Sequence, residues 1–242
     1  KDEADLVSDN AKKKQSRYLL TGILVENHDA GDLPGVVVKN NYVHDVNGYM
    51  QGGAQKGSGG LIALVTGDAV ESKYTDLTIV GNKVENVCHE AIYMESSWAS
   101  RVLVGGSGAQ DAGKGKWVGW PNVYVAENYV YDVAGDGIVL INADGGIAEK
   151  NLVVKSSSED WDYSRNPAHA AIWMWDCNNV TMQYNEAAHT ESYQDGMAFD
   201  FDYGNQNVMY QYNYSHDNKG GFWMACPGPY YTVNAVARYN IS

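Results

Sequence analysis

The chain has 242 residues, with 44% apolar and only 19% charged positions, a globular balance that excludes a disordered chain. No run of ~18 apolar residues occurs, so no transmembrane helix is expected. The net charge of −13 disfavours nucleic acid and anionic membrane surfaces as partners.

One motif, apolar-x-apolar-x-x-Asn, recurs seven times. In chain order it reads VVVKNN ending at Asn41, LTIVGN at Asn82, VYVAEN at Asn128, GIAEKN at Asn151, VTMQYN at Asn185, VMYQYN at Asn213 and AVARYN at Asn240. The shortest gap, Asn128 to Asn151, sets a basic coil of 23 residues, and insertions lengthen the others. Between the motifs lie small-residue starts followed by alternating strands: GGLIALV, EAIYME, GIVLIN, AAIWMWD, GMAFDFD and GFWMAC, with GILVEN as a partial first coil. A single coil cannot bury its own apolar side chains. Stacked coils can, each strand pairing with its equivalent ~4.8 Å above and below. The expected fold is an all-β solenoid of about seven coils with three short strands per coil. An Asn ladder fills one turn, where Asn tolerates the left-handed backbone. Tyr184, Tyr212 and Tyr239 each precede a ladder Asn and should stack.

These repeats resemble the right-handed parallel β-helix of the pectate-lyase-like superfamily over residues 22–242. YNEAAHTESYQDGMAFDFD and QYNYSHDNKGGFWMAC look most like the repeats of secreted bacterial β-helix proteins tied to carbohydrate breakdown. The resemblance implies the handedness, the three-sheet cross-section, a carbohydrate substrate, and a secreted location, extracellular or periplasmic. Residues 1–21 read as an irregular polar segment, and the last motif stops two residues before the C-terminus. A solenoid needs capped ends, so a single domain that is a segment of a longer solenoid is expected. Two insertions, 96–122 and 156–168, stand out as candidate walls of a cleft. Cys88, Cys177 and Cys226 form no CxxC pair and read as buried small residues.

Strand alternation puts Met197, Phe199 and Phe201 inside and points Asp200 and Asp202 outward together. Extended to the other coils, it places Trp173 and Trp175 one coil earlier, Trp223 one coil later, and Tyr93 with Glu95 three coils earlier on the same outer face. That alignment sets Trp175 and Ala225 beside Asp200. Sugar rings stack on aromatic planes, and a carboxylate pair suits glycoside hydrolysis. Residues two apart on a strand lie ~6.8 Å apart at Cα, which leans towards the wider, inverting separation. Two close carboxylates repel, which suits one of them to hold the proton of the acid.

His189 and His216 end the third strands of their coils and are further acid–base candidates. His216-Asp217 repeats the His44-Asp45 pair far along the axis, which favours a turn-stabilising role. Arg165, in the second insertion, could reach the substrate. The run Glu159-Asp160-Trp161-Asp162 offers hard oxygens and is a candidate Ca²⁺ ligand set, although it matches no Ca²⁺ loop pattern.

Three functions follow. The first is a glycoside hydrolase that needs no cofactor, with Asp200 and Asp202 as the carboxylates and Trp173, Trp175 and Trp223 as subsites for a polysaccharide or oligosaccharide. The NTD, DD and GHG signatures of polygalacturonase-type β-helix hydrolases are missing. The second is a polysaccharide lyase or uronate epimerase using His189, His216, Arg165 or Arg238, which the negative charge opposes unless Ca²⁺ assists. The third is a non-catalytic glycan-binding solenoid.

Overall fold

The computed structural model describes residues 20–47, 59–99, 116–161, 168–192, 194–226 and 231–242. Strands from successive coils pair in parallel throughout. They build three long sheets and one short pair. The first sheet stacks seven strands, Thr21–His28, Gly59–Thr66, Glu90–Ser96, Ile138–Ile141, Ile172–Trp175, Met197–Phe201 and Gly221–Ala225. The second also has seven, from Val37–Lys39 to Val233–Arg238, and the third has six, from Tyr42–Val46 to Tyr214–His216. This is the expected parallel β-helix. No helix occurs among the described residues.

The Asn ladder runs the length of the stack. The Asn41 side-chain amide donates to Asn82 Oδ1 at 2.9 Å, and the chain of donors continues through Asn128, Asn151, Asn185 and Asn213 to Asn240. Each rung does more than bond to its neighbour. Asn151 Oδ1 also accepts the Asn128 backbone N–H, and Asn151 Nδ2 also donates to the Val125 carbonyl. The amide thus satisfies backbone groups at a turn where no strand ladder could.

One detail differs from expectation. The left-handed residue is the one before each ladder Asn: Asn40, Gly81, Glu127, Lys150, Tyr184, Tyr212 and Tyr239, with φ between 54° and 66°. The ladder Asn itself stays in the ordinary region, so its side chain can turn inward and run along the axis. Lys, Glu and Tyr accept the ~1–2 kcal/mol cost of this conformation because the stack over-determines it. Tyr184, Tyr212 and Tyr239 then project outward and stack, with ring centroids 5.3 and 5.2 Å apart.

The interior is filled by one residue per turn of each strand. Val84, Val130, Val153 and Ala187 line the third sheet; Ile79, Val125, Ala148, Met182 and Tyr210 line the second; Ile92, Ile138, Ile172 and Phe199 line the first. All are fully buried. Cys88 and Cys177 form no disulfide and are buried, as expected, whereas Cys226 is only half-buried.

Replacing Asn151 by Ala should leave the Asn128 N–H and amide and the Val125 carbonyl without their partner, at about 1–3 kcal/mol per buried group and about 3–9 kcal/mol in total. Asn240→Ala, at the half-exposed last rung, should cost about 1 kcal/mol because water replaces the lost bonds. Urea unfolding of the two variants measures the difference.

Candidate active site

The register of the first sheet sets the site. Phe199 and Phe201 point inside, where their rings meet Tyr210 of the second sheet at 5.4 and 4.6 Å. Alternation therefore turns Asp200 and Asp202 to the outer face. Trp173 pairs directly with Asp200 on the next strand, and Trp175 lies two residues further, beside Asp202. Beyond Trp173 come Val139 and then Tyr93, so Tyr93 is on the same row, three strands from Asp200. Glu95 follows two residues on, in the row of Trp175.

This arrangement corrects two expectations. Trp173, not Trp175, is the neighbour of Asp200. Trp223 leaves the face altogether: it pairs with Phe199 and packs edge-on to Phe201 at 5.8 Å, while Met224 pairs with Asp200. The cause is the Gly pair at 220–221. Gly220, whose N–H donates to the Gly196 carbonyl at 2.8 Å, is the equivalent of Gly196, so Gly221 lies opposite Met197. A one-residue slip in a strand sends every side chain to the other face. Trp223 is 47% exposed because its strand is the sheet's edge.

The outer face is also drier than expected. Trp173, Asp200 and Tyr93 are buried, and Trp175, Asp202 and Glu95 are half-buried. Part of the cover comes from the insertion after Ser96. Its described ends form an antiparallel bridge, Ala99 to Trp117. Asn142 donates to the Trp98 and Val118 carbonyls, and the Trp117 indole donates to the Asp176 carbonyl at 2.9 Å.

Each end of the Trp/Asp rows carries a further carboxyl. Asp136 Oδ1 accepts the Trp173 indole N–H and the Ala170 N–H, both at 2.8 Å, and so fixes the ring beside Asp200. At the other end Tyr203 packs edge-on to Trp175 at 6.1 Å, and Asp202 Oδ1 accepts the Tyr203 N–H. Gly204, with φ of 79°, leaves the space that Asp176 Oδ1 fills; a Cβ there would sit 1.9 Å from that oxygen. Asp195 is half-buried in the turn leading into the Asp200 strand. Below, the fully buried Tyr210 hydroxyl, its ionisation pushed well up by burial and then by Asp200, donates to the Asp200 carbonyl at 2.6 Å. Asp136, Asp176 and Tyr203 were not singled out by the repeat analysis. The signal was present in the GDG before GIVLIN and in the Asp that closes AAIWMWD.

His189 and His216 are not brought to this face. They belong to the third sheet and its following turn, and their rings meet edge-on at 6.0 Å. His216 Nδ1 bonds Asp217 at 2.8 Å and Nε2 faces Glu186 at 3.3 Å. His44 and Asp45 repeat the contact at 2.8 Å, and Asp45, His189 and Asp217 are all left-handed. The His-Asp pairs are turn fittings. Arg238 bonds Gln211 on the second sheet, also away from the Trp/Asp rows. Arg165 and Asp162 lie outside the described residues. Glu159 and Asp160 of the candidate Ca²⁺ set pair with Lys219 and Lys155.

Stacked parallel strands in three sheets, with an aromatic and acidic row on the outside of the first, define a parallel β-helix. The family description "Right handed beta helix region" matches residues 21–235, and the chain belongs to that family. It is 28% identical over 270 residues to a lacto-N-biosidase of Bifidobacterium longum subsp. longum, covering 97% of this chain and 16% of the relative. The crystal structure of a GH136 lacto-N-biosidase from Eubacterium ramulus superposes with a TM-score of 0.74 and 26% identity, over 92% of this chain and 37% of that one. Its selenomethionine derivative gives 0.72. The chain thus spans about a sixth of the curated relative and over a third of the solved structure.

Donation to the Asp217 carboxylate, and then to Glu186, holds the His216 imidazole's pKa above its ordinary value. Its contribution to stability should be full below pH ~6.5 and disappear as pH rises through the raised value. An NMR titration should place His216 above an ordinary His, and Asp217→Asn should move it back down.

Proposed function

We propose that the chain is the β-helix of a glycoside hydrolase acting on an oligosaccharide, with the reaction on the outer face of the first sheet. One observation carries the reading: the direct cross-strand pairing of Trp173 with Asp200, continued by Trp175 beside Asp202. Their strands are ~4.8 Å apart, so an indole and a carboxyl become neighbours, as a sugar ring stacked next to its own scissile bond would need. Lacto-N-biosidase relatives support this class of reaction and favour a neutral oligosaccharide over a uronate polymer. The net charge of −13 agrees, because it repels polyuronates.

The roles follow from the surroundings. Asp200, the drier carboxyl, is the acid that protonates the leaving oxygen, since burial favours the neutral form. Asp202, half-exposed, is the anion that activates water or attacks the sugar. Trp173 is a rigid platform because Asp136 holds its N–H. Trp175, with Tyr203 packed edge-on against it, forms the adjoining subsite. Tyr93 and Glu95 lie further along the rows, where they would contact a neighbouring sugar. The enzyme is proposed to work outside the cytoplasm, where such substrates occur, and without a cofactor in the hydrolytic step.

The chain should be incubated with neutral oligosaccharides, including lacto-N-biose-terminated ones, and with uronic polymers, with and without Ca²⁺. Released reducing ends and the ultraviolet absorbance of unsaturated products are followed in parallel. Hydrolysis appears as reducing ends alone. Asp200→Asn and Asp202→Asn should each lower kcat by about 10³-fold or more, and Trp173→Ala should chiefly raise KM. Unsaturated products lost on chelation would establish a lyase instead. Activity that survives both Asn variants but falls in Asp136→Asn or Asp195→Asn would move the acid–base pair to those neighbours.

A further inference from the structure

A second cluster of titratable groups sits at the corner where the chain enters the first sheet. His89 precedes and Glu90 begins the strand Glu90–Ser96, and His169 precedes the strand Ile172–Trp175. All three side chains are buried, at 3%, 0% and 2% exposure. The coil between them contributes Gly135 and Asp136: Gly135 N–H donates to the His89 carbonyl, and the Gly196 N–H of the next coil donates to the His169 carbonyl. His89 and His169 are therefore two coils apart, ~9.6 Å at the sheet spacing. Their rings nonetheless meet edge-on with centroids 5.6 Å apart.

Gly135 lies against the His89 backbone and the Glu90 carboxylate. Its backbone is not in the left-handed region, so a side chain there would be opposed by space and not by conformation. A Cβ would stand 3.0 Å from the His89 carbonyl carbon and 3.2 Å from Glu90 Oε2. Two imidazoles and one carboxylate gather at this corner. Their ligand atoms all lie within 4.8 Å of one another, with His89 Nδ1 3.3 Å from Glu90 Oε1. Glu90 Oε2 accepts the Asp136 N–H at 2.8 Å, which orients the carboxylate towards the imidazoles.

We propose that His89, Glu90 and His169 bind a divalent transition metal of the zinc type, as a clamp across three coils. Two imidazoles and one carboxylate form a recognised ligand set for such ions, whereas Ca²⁺ takes oxygens alone. Metal–ligand bonds of ~2.0–2.2 Å place tetrahedral ligand atoms about 3.4 Å apart, the separation His89 and Glu90 already have. Small side-chain rotations bring in His169. A dication also balances the two buried carboxyls, Glu90 and Asp136, on adjacent coils. Because Asp136 holds the Trp173 indole, the clamp would brace the sugar platform from behind. The proposal stands whether or not the glycosidase reading holds.

The second group with this composition, His189, His216 and Asp217, is exposed or half-exposed and provides the control. The full chain should be produced once in zinc-supplemented medium and once with Co²⁺ in a defined medium, desalted and assayed for metal. About one ion per chain is expected, with the intense visible bands of four-coordinate Co²⁺. His169→Asn and His89→Gln should fall below about a tenth of that, while the double variant His189→Gln/His216→Gln keeps its metal. A wild-type chain holding under about a tenth of an equivalent would overturn the proposal. So would loss of the metal in the His189/His216 double variant. These last two measurements need no substitution in the buried cluster, so they decide the matter even where the His89 and His169 variants fold poorly.

Discussion

Everything in this molecule depends on one repeated contact, the stacking of each coil on the next at the strand spacing. A coil of about 23 residues has no interior of its own, and its inward side chains are buried only by the coils above and below. The turns are the weak points, because there the backbone leaves the ladder and its polar groups lose their partners. The Asn ladder repairs one of the three turns. Asn82 shows why Asn is needed: its oxygen accepts from the backbone and side chain of Asn41, and its nitrogen donates to the Val38 carbonyl and to Asn128. Asp lacks the two donors and Gln is a methylene too long to repeat the pattern at this spacing.

That axial repeat is also what creates a site. Side chains at equivalent positions fall into rows perpendicular to the strands, so residues 27 apart in sequence, Trp173 and Asp200, become direct neighbours. The rows offer chemistry but little shelter, since an outer sheet face is open by construction. Shelter comes from chain that leaves the repeat. Trp117 and Trp98 belong to an insertion, and their bonds to Asp176 and Asn142 fasten it to the edge of the face. Insertions can be exchanged without disturbing the ladder, because the coils beneath them pair with each other and not with the loops.

The corners decide alignment between coils. A glycine appears wherever two coils approach too closely for a side chain, as at Gly220 against Asp195 and Gly135 against Glu90. One such glycine, read one position late, suffices to put Trp223 on the wrong side. Parity is a strict property of a strand and has no memory across a turn. Each coil's face must therefore be established by its own pairing.

The solenoid, the Asn ladder, the Tyr stack and the outward pairing of Asp200 with Asp202 were legible in the order of residues alone. These follow from periodicities of two along a strand and of one coil along the axis, and both are visible in the order of residues. Only the tertiary structure decided which Trp stands beside Asp200, that the face is covered, and that His189 and His216 lie on another sheet. It also brought His89 to His169 across 80 positions, although the two lie two coils apart. Such contacts depend on turn lengths, corner glycines and insertions, which break the repeat and so leave no periodic trace.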